Sequence, residues 1–174
     1  MSLSMYQVSI PVFVRGLGVL STLLDKAAAH AGEQGIDPAT LIEARLAPDM
    51  MTLAAQVQRA SDTSKLGAER LTGRASPRFE DTERTFPELQ QRIANTVAYL
   101  TTIDDAAMAG SEQRAVTLNF GSFKPTFTGE QYLLTFALPN FFFHVTTAYD
   151  ILRHQGVVVG KRDYLGPYAE VSPP

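Results

Sequence analysis

A chain of 174 residues, 45% apolar and 19% charged, fits one globular domain (residues 1–174) with a core of its own and excludes a disordered polymer. A net charge of −3 lacks the basic excess of a nucleic-acid binder, and the absence of cysteine excludes disulfides and thiolate metal sites. The N-terminal apolar patch has no basic lead and is broken by Pro11, Arg15, Gly16 and Gly18. No apolar run approaches the ~20 residues of a membrane helix, so the expectation is a soluble, cytoplasmic protein with no signal peptide and no membrane partner.

Taken in order, apolar residues recur at Ile10, Phe13, Val14, Leu17, Leu20, Leu24, Ala27, Ala28 and Ala31, which predicts a long amphipathic helix. Pro11 either belongs to its first turn or kinks a helix begun as early as Ser4. Gly16 and Gly18 have neither a preceding strand nor a third glycine, so they mark close helix packing rather than a dinucleotide loop. Gly32 to Gly35 ends the helix. Asp37-Pro38 reads as an N-cap with proline at the first helical position, opening a short helix to about Leu46 that is interrupted near Pro48.

A second long helix is predicted from Asp49 to Leu71, with Met50, Leu53, Ala54, Val57, Ala60, Ser64, Ala68 and Leu71 inward and Gln56 on the flank. Residues 72–86 are polar, long enough to carry the chain across a bundle end. Pro87 opens the third helix, with Leu89, Ile93, Thr96, Val97, Leu100 and Ile103 inward. After a break over 104–114, AVTLNF and FKPTFT alternate about Gly121-Ser122, the pattern of a small hairpin whose Pro125 restricts the second arm to an edge. Thr128 and Gln131 are spaced as a capping box, and the last helix runs from there to Arg153 or His154 and stops by Gly156. The remainder, from Val157 on, reads as an extended segment with a solvated turn at Lys161, Arg162 and Asp163. Four amphipathic helices with one hairpin make an all-α bundle.

The richest stretch is Leu138 to Gly156, LPNFFFHVTTAYDILRHQG. On a helix, Asn140, His144, Ala148 and Ile151 share a face, and Phe141, Val145, Ala148 and Leu152 form an overlapping apolar row. Pro139 predicts a kink or break just before this polar pair. His30 and His154 fall at helix ends, leaving His144 as the internal histidine. Two readings stand for it: a neutral imidazole with both nitrogens satisfied, or a general base or metal ligand helped by Asn140. Tyr132, Tyr149 and Asp150 are further neighbours that spacing alone does not rank. Signatures of serine hydrolases, P-loops, zincins and calcium loops are absent.

FFFHVTTAYDILRHQGVVVG resembles the last helix of the DinB/YfiT-like metalloenzyme superfamily. The patterns PNFFFH, TAY, LRHQG and GKRDYLG, together with APDMMTLAAQVQ earlier, resemble one uncharacterised bacterial family of unknown function within it. That resemblance implies an up-down-down-up four-helix bundle, often a homodimer. In the wider superfamily three histidines hold Zn or Ni, one on the second helix and two a turn apart on the last, and thiol-dependent transferases are among its members. Carried over by motif, His144 takes the final histidine's place, Asn140 the one a turn before, and Gln56 that of the second helix. Amide oxygens are poor ligands for these metals. The expectation is therefore a degenerate metal site with no cofactor, in which Gln56, Asn140 and His144 line a pocket for an unknown small molecule. Two alternatives are carried: a metal-dependent (through His144, with recruited ligands such as Asp49) or thiol-dependent transferase or hydrolase, and a structural dimerisation module.

Overall fold

A computed structural model describes residues 3–167. Helix α1 spans Ile10–Gln34 with Pro11 in its first turn, so the proline starts the helix and kinks nothing. It ends on Gly35, whose left-handed φ of 64° lets its N–H reach the Ala31 carbonyl. Helix α2 (Pro38–Ile42) opens on Asp37 as predicted but stops well short of Leu46. Pro48 lacks a donor and turns Ala47 out of the helical region, and Arg45 closes the resulting turn onto the Met50 carbonyl. Consequently α3 (Leu53–Thr72) begins four residues later than predicted, where the Thr52 hydroxyl accepts from the Ala55 N–H. Met50 stays half-buried outside it. Helix α4 (Phe86–Leu100) starts at a reciprocal capping box between Thr85 and Glu88.

Side-chain pairings fix the bundle's directions. Ser21 meets Gln90 and Ser4 meets Asp105, so α1 runs against α4. Gln58 meets Glu83, Ser61 meets Thr96 and the Arg74 carbonyl meets Tyr99, so α3 and α4 run together. The remaining long helix, α6 (Leu138–His154), runs against α3 and along α1, where Phe13 and Phe141 pack edge to face at 5.1 Å. This is the up-down-down-up order. Gly16 makes the α1–α6 approach possible, because a Cβ there would overlap the Phe141 ring. No helix among the described residues is long and apolar enough to cross a membrane.

The hairpin forms as predicted, β1 (Ala115–Thr117) antiparallel to β2 (Thr126–Thr128), with Gly121 at φ 76° in the connection. Thr128 and Gln131 then cap α5 (Gly129–Tyr132). The expected break at Pro139 takes a different form. The chain passes through a π turn over Leu133–Ala137, and the Leu138 N–H reaches five residues back to the Leu133 carbonyl. From there α6 (Leu138–His154) continues with Pro139 in its first turn. A wider turn relieves the clash of the proline ring with the preceding carbonyl without ending the helix. The segment after Gly156 is not extended throughout: Lys161–Leu165 form a short helix, α7, and Asp163 both caps it at Gly160 and pairs with Lys26 of α1 at 2.7 Å. Lys161 and Arg162 are exposed as predicted, Asp163 instead docks the segment on α1, and residues 168–174 of the predicted extended tail lie outside the described residues.

The long 73–85 connection is held down by buried charge. Arg92 is 2% exposed, and its guanidinium meets Asp62 (2.9 Å), Glu83 (2.9 Å) and Asp81 (3.1 Å). Lys65 joins through Asp62, Arg59 bridges Asp62 and Asp81, and Phe79 lies beneath both Arg92 and Lys65. Three cations thus face three carboxylates, so the cluster is balanced and serves to pin the loop. Removing one member strands the others: Arg92→Met is expected to destabilise the protein by about 3 kcal/mol or more in urea unfolding, and a loss below about 1 kcal/mol would refute the pinning role. Gly16→Ala is expected to cost about 1–3 kcal/mol in the same assay through overpacking against Phe141, with an unchanged midpoint as the refuting result.

Candidate functional site

Helices α3 and α6 meet along a seam that carries two polar cross-helix pairs. Gln56, predicted on the flank, is 1% exposed, and His144 is 8% exposed. The Gln56 amide is oriented by its own Nε2–H, which donates to the Met51 carbonyl at the mouth of α3. Its Oε1 therefore points at the imidazole, 2.7 Å from Nδ1. Because a carboxamide oxygen only accepts, Nδ1 carries the proton and Nε2 holds the lone pair. Among the described residues Nε2 has no hydrogen-bond partner. Burial pulls the imidazole from its usual 6.5 down to about 4, and the Arg59 guanidinium adds to the shift. The ring is neutral at physiological pH.

Asn140 sits one turn before His144 and is half-buried. Its Nδ2–H donates to Thr63 Oγ1 at 2.8 Å, not to Gln56 or His144. The three predicted residues thus form two adjacent cross-helix pairs, Gln56–His144 and Thr63–Asn140. Asn140 and Thr63 open onto a groove of about 200 Å³, walled also by Arg59, Leu66, Phe120 and Phe136. Gln56 and His144 are not among the residues that wall it.

The donor set does not fit the metal that the resemblance implies. A tightly held Zn or Ni needs three or four converging strong ligands, and here one imidazole nitrogen stands beside two amides that are already engaged. Arg59 beside the ring raises the local positive potential, which opposes a divalent cation. Among the described residues, no three His, Asp or Glu side chains gather as a metal-binding group. Asp49 is exposed in the turn before α3, His154 is exposed, and His30 lies half-buried near the end of α1. Tyr132 contacts Arg70 and Tyr149 packs on Tyr164, so neither serves His144.

Sequence reasoning missed Thr63, Arg59 and Arg70. A signal was present, since Arg59, Thr63 and Arg70 follow Gln56 at intervals of three, four and seven residues and so return to one helical face.

Compared with known families, residues 5–165 match the one described as Domain of unknown function (DUF1993). Among solved structures, the chain is similar to a DinB family member protein from Shewanella denitrificans, 39% identical, covering 97% of this chain and 96% of that one, with a TM-score of 0.92. The comparison with curated proteins gives no match.

The depressed imidazole has a pH consequence. The folded state resists protonating His144, so its stabilisation is full above pH 6.5 and is lost as pH falls toward about 4. Relative to His144→Asn, the natural protein is expected to lose about 2 kcal/mol of unfolding free energy between about pH 7 and about pH 5. Parallel stability profiles for the two proteins would refute the buried neutral ring.

Proposed function

From the premise that this chain belongs to the DUF1993 family and has the DinB-like helical fold, we propose that it is a small-molecule-binding member with a degenerate metal site. The ligand site is the α3/α6 seam, where the Thr63–Asn140 pair edges the groove and the Gln56–His144 pair lies one turn deeper along α6. The observation that carries this reading is the commitment of the amides. Gln56 spends both ends of its carboxamide on Met51 and His144, and Asn140 is tied through its N–H to Thr63 rather than to His144, so the oxygen of Gln56 is committed and the trio does not converge on one point. Buried polar groups with satisfied partners hold a shape without a cofactor.

The rival enzymatic readings need either a metal gripped by recruited carboxylates or a reacting thiol. Asp49, the nearest recruited candidate in sequence, points away in an exposed turn, and Asp62 is already shared among three cations. The chain holds no cysteine, so a thiol would come from the ligand. The Nε2 lone pair of His144 is a weak acceptor for such a ligand's proton, because burial holds the ring well below its usual value and the ring does not wall the groove.

Metal analysis of protein purified without a histidine tag tests the reading. Zn and Ni well below one equivalent, unchanged in His144→Ala, are the expected result. One equivalent of either metal, lost in His144→Ala, would overturn the degenerate site in favour of a metal-dependent enzyme.

A further inference from the structure

We propose that the groove between α3, the hairpin and the π turn takes a small aromatic monocarboxylate, with Arg70 as its counter-ion; this rests on the reading of the α3/α6 seam as a ligand site. The charges of the groove decide the sign. Arg59, Asp62 and Arg70 are its ionisable walls. Arg59 is compensated by Asp62 and Asp81, and Asp62 also meets Arg92 and Lys65, so that group is closed on itself. Arg70 differs: among the described residues it has no carboxylate partner. Its polar contact is with the buried Tyr132 hydroxyl, at 2.9 Å, and its guanidinium lies 5.6 Å over the Tyr132 ring. These contacts hold the planar group in place and leave further N–H donors uncommitted. A held guanidinium with no carboxylate at ion-pair distance among the described residues favours a negative ligand, and a planar fork suits a carboxylate.

The rest of the lining selects the ligand's body. Phe120 at the hairpin end is 53% exposed, and its ring stands 5.9 Å from Phe136, which in turn stacks at 5.9 Å on Tyr132. A row of aromatic rings therefore leads to the guanidinium, and an exposed ring at its outer end gains burial by covering a second one. The π turn presents Phe136 here, and such turns are frequent at functional sites. Asn119 accepts from the Gly121 N–H through Oδ1 and keeps its own N–H donors free for a carboxylate oxygen. A volume of about 200 Å³ is below that of sites for drug-sized ligands, roughly 300–1,000 Å³, so a single ring fits and a nucleotide does not.

The experiment titrates the full chain with phenylacetate and with its neutral isostere phenylacetamide, by calorimetry at low salt and concentrations up to on the order of 10 mM. Phenylacetate is expected to bind at least about tenfold tighter, and added salt to erode that preference. Arg70→Gln should abolish the preference, Arg70→Lys should keep part of it, and Phe120→Ala, at an exposed position that folding does not need, should weaken both ligands alike. Equal affinities for the two ligands, or a preference that survives Arg70→Gln, would overturn the carboxylate assignment and leave the seam as a ligand site. Affinities unmoved by Phe120→Ala would overturn the placement of the ring. If neither ligand binds, the aromatic-carboxylate inference falls, and the seam reading is decided separately by the metal analysis.

Discussion

The bond from His144 Nδ1–H to Gln56 Oε1 constrains α3 and α6 more than any apolar contact between them does. Leucines and alanines tolerate small slides along a seam, because packing is roughly non-directional. A buried imidazole and a buried amide do not tolerate them, since each pays the full cost of desolvation if it loses its partner. The second pair, Thr63 with Asn140, repeats the demand a turn away. Together the two bonds admit one register for the antiparallel pair. The same registry places the polar groups beside the groove, so helix alignment and the candidate site have one cause.

Pro139 enters this arrangement from the other side. In a regular helix its ring would meet the Thr135 carbonyl and its missing N–H would leave that carbonyl unpaired. The chain answers with a π turn over 133–137 and resumes α-helical geometry at Leu138. The adjustment leaves Phe136 and Asn140 on one groove, with the buried Tyr132 stacked behind Phe136. A residue that would ordinarily weaken the helix here sets the direction of its groove-facing side. The hairpin completes the wall by bringing Phe120 against Phe136.

The balanced charge cluster about Arg92 plays a different part. It joins α3 and α4, which run in the same direction and therefore need a long connection from the end of one to the start of the other. A polar loop of that length has little apolar surface with which to dock. Asp81 and Glu83 dock it electrostatically instead, with Phe79 beneath the cations. Desolvation makes such clusters modest contributors to net stability, yet any single deletion is costly because the remaining charges stay buried. Arg59 belongs to this cluster, so the charge that secures the loop also adds to the burial that keeps the His144 ring neutral.

What the residues determined by themselves is local. Asp37-Pro38, Pro87, the Thr128 cap, the hairpin about Gly121 and the apolar stripes of α1, α3, α4 and α6 each follow from one turn or one face of the chain, and each was readable as such. The resemblance of the last helix added the order of the bundle and the positions of Gln56, Asn140 and His144. The tertiary structure alone decided which partners the polar side chains found. Arg92 shares the face of Leu89 and Thr96 at spacings of three and four, but only the return of the 73–85 loop brings the carboxylates that let its charge be buried. Asn140 reads as a companion of His144, and only the facing helix offers it Thr63. Periodicity reports which way a side chain points, but a buried polar group is stable through what meets it from another element, and that meeting is encoded in no single stretch of the chain.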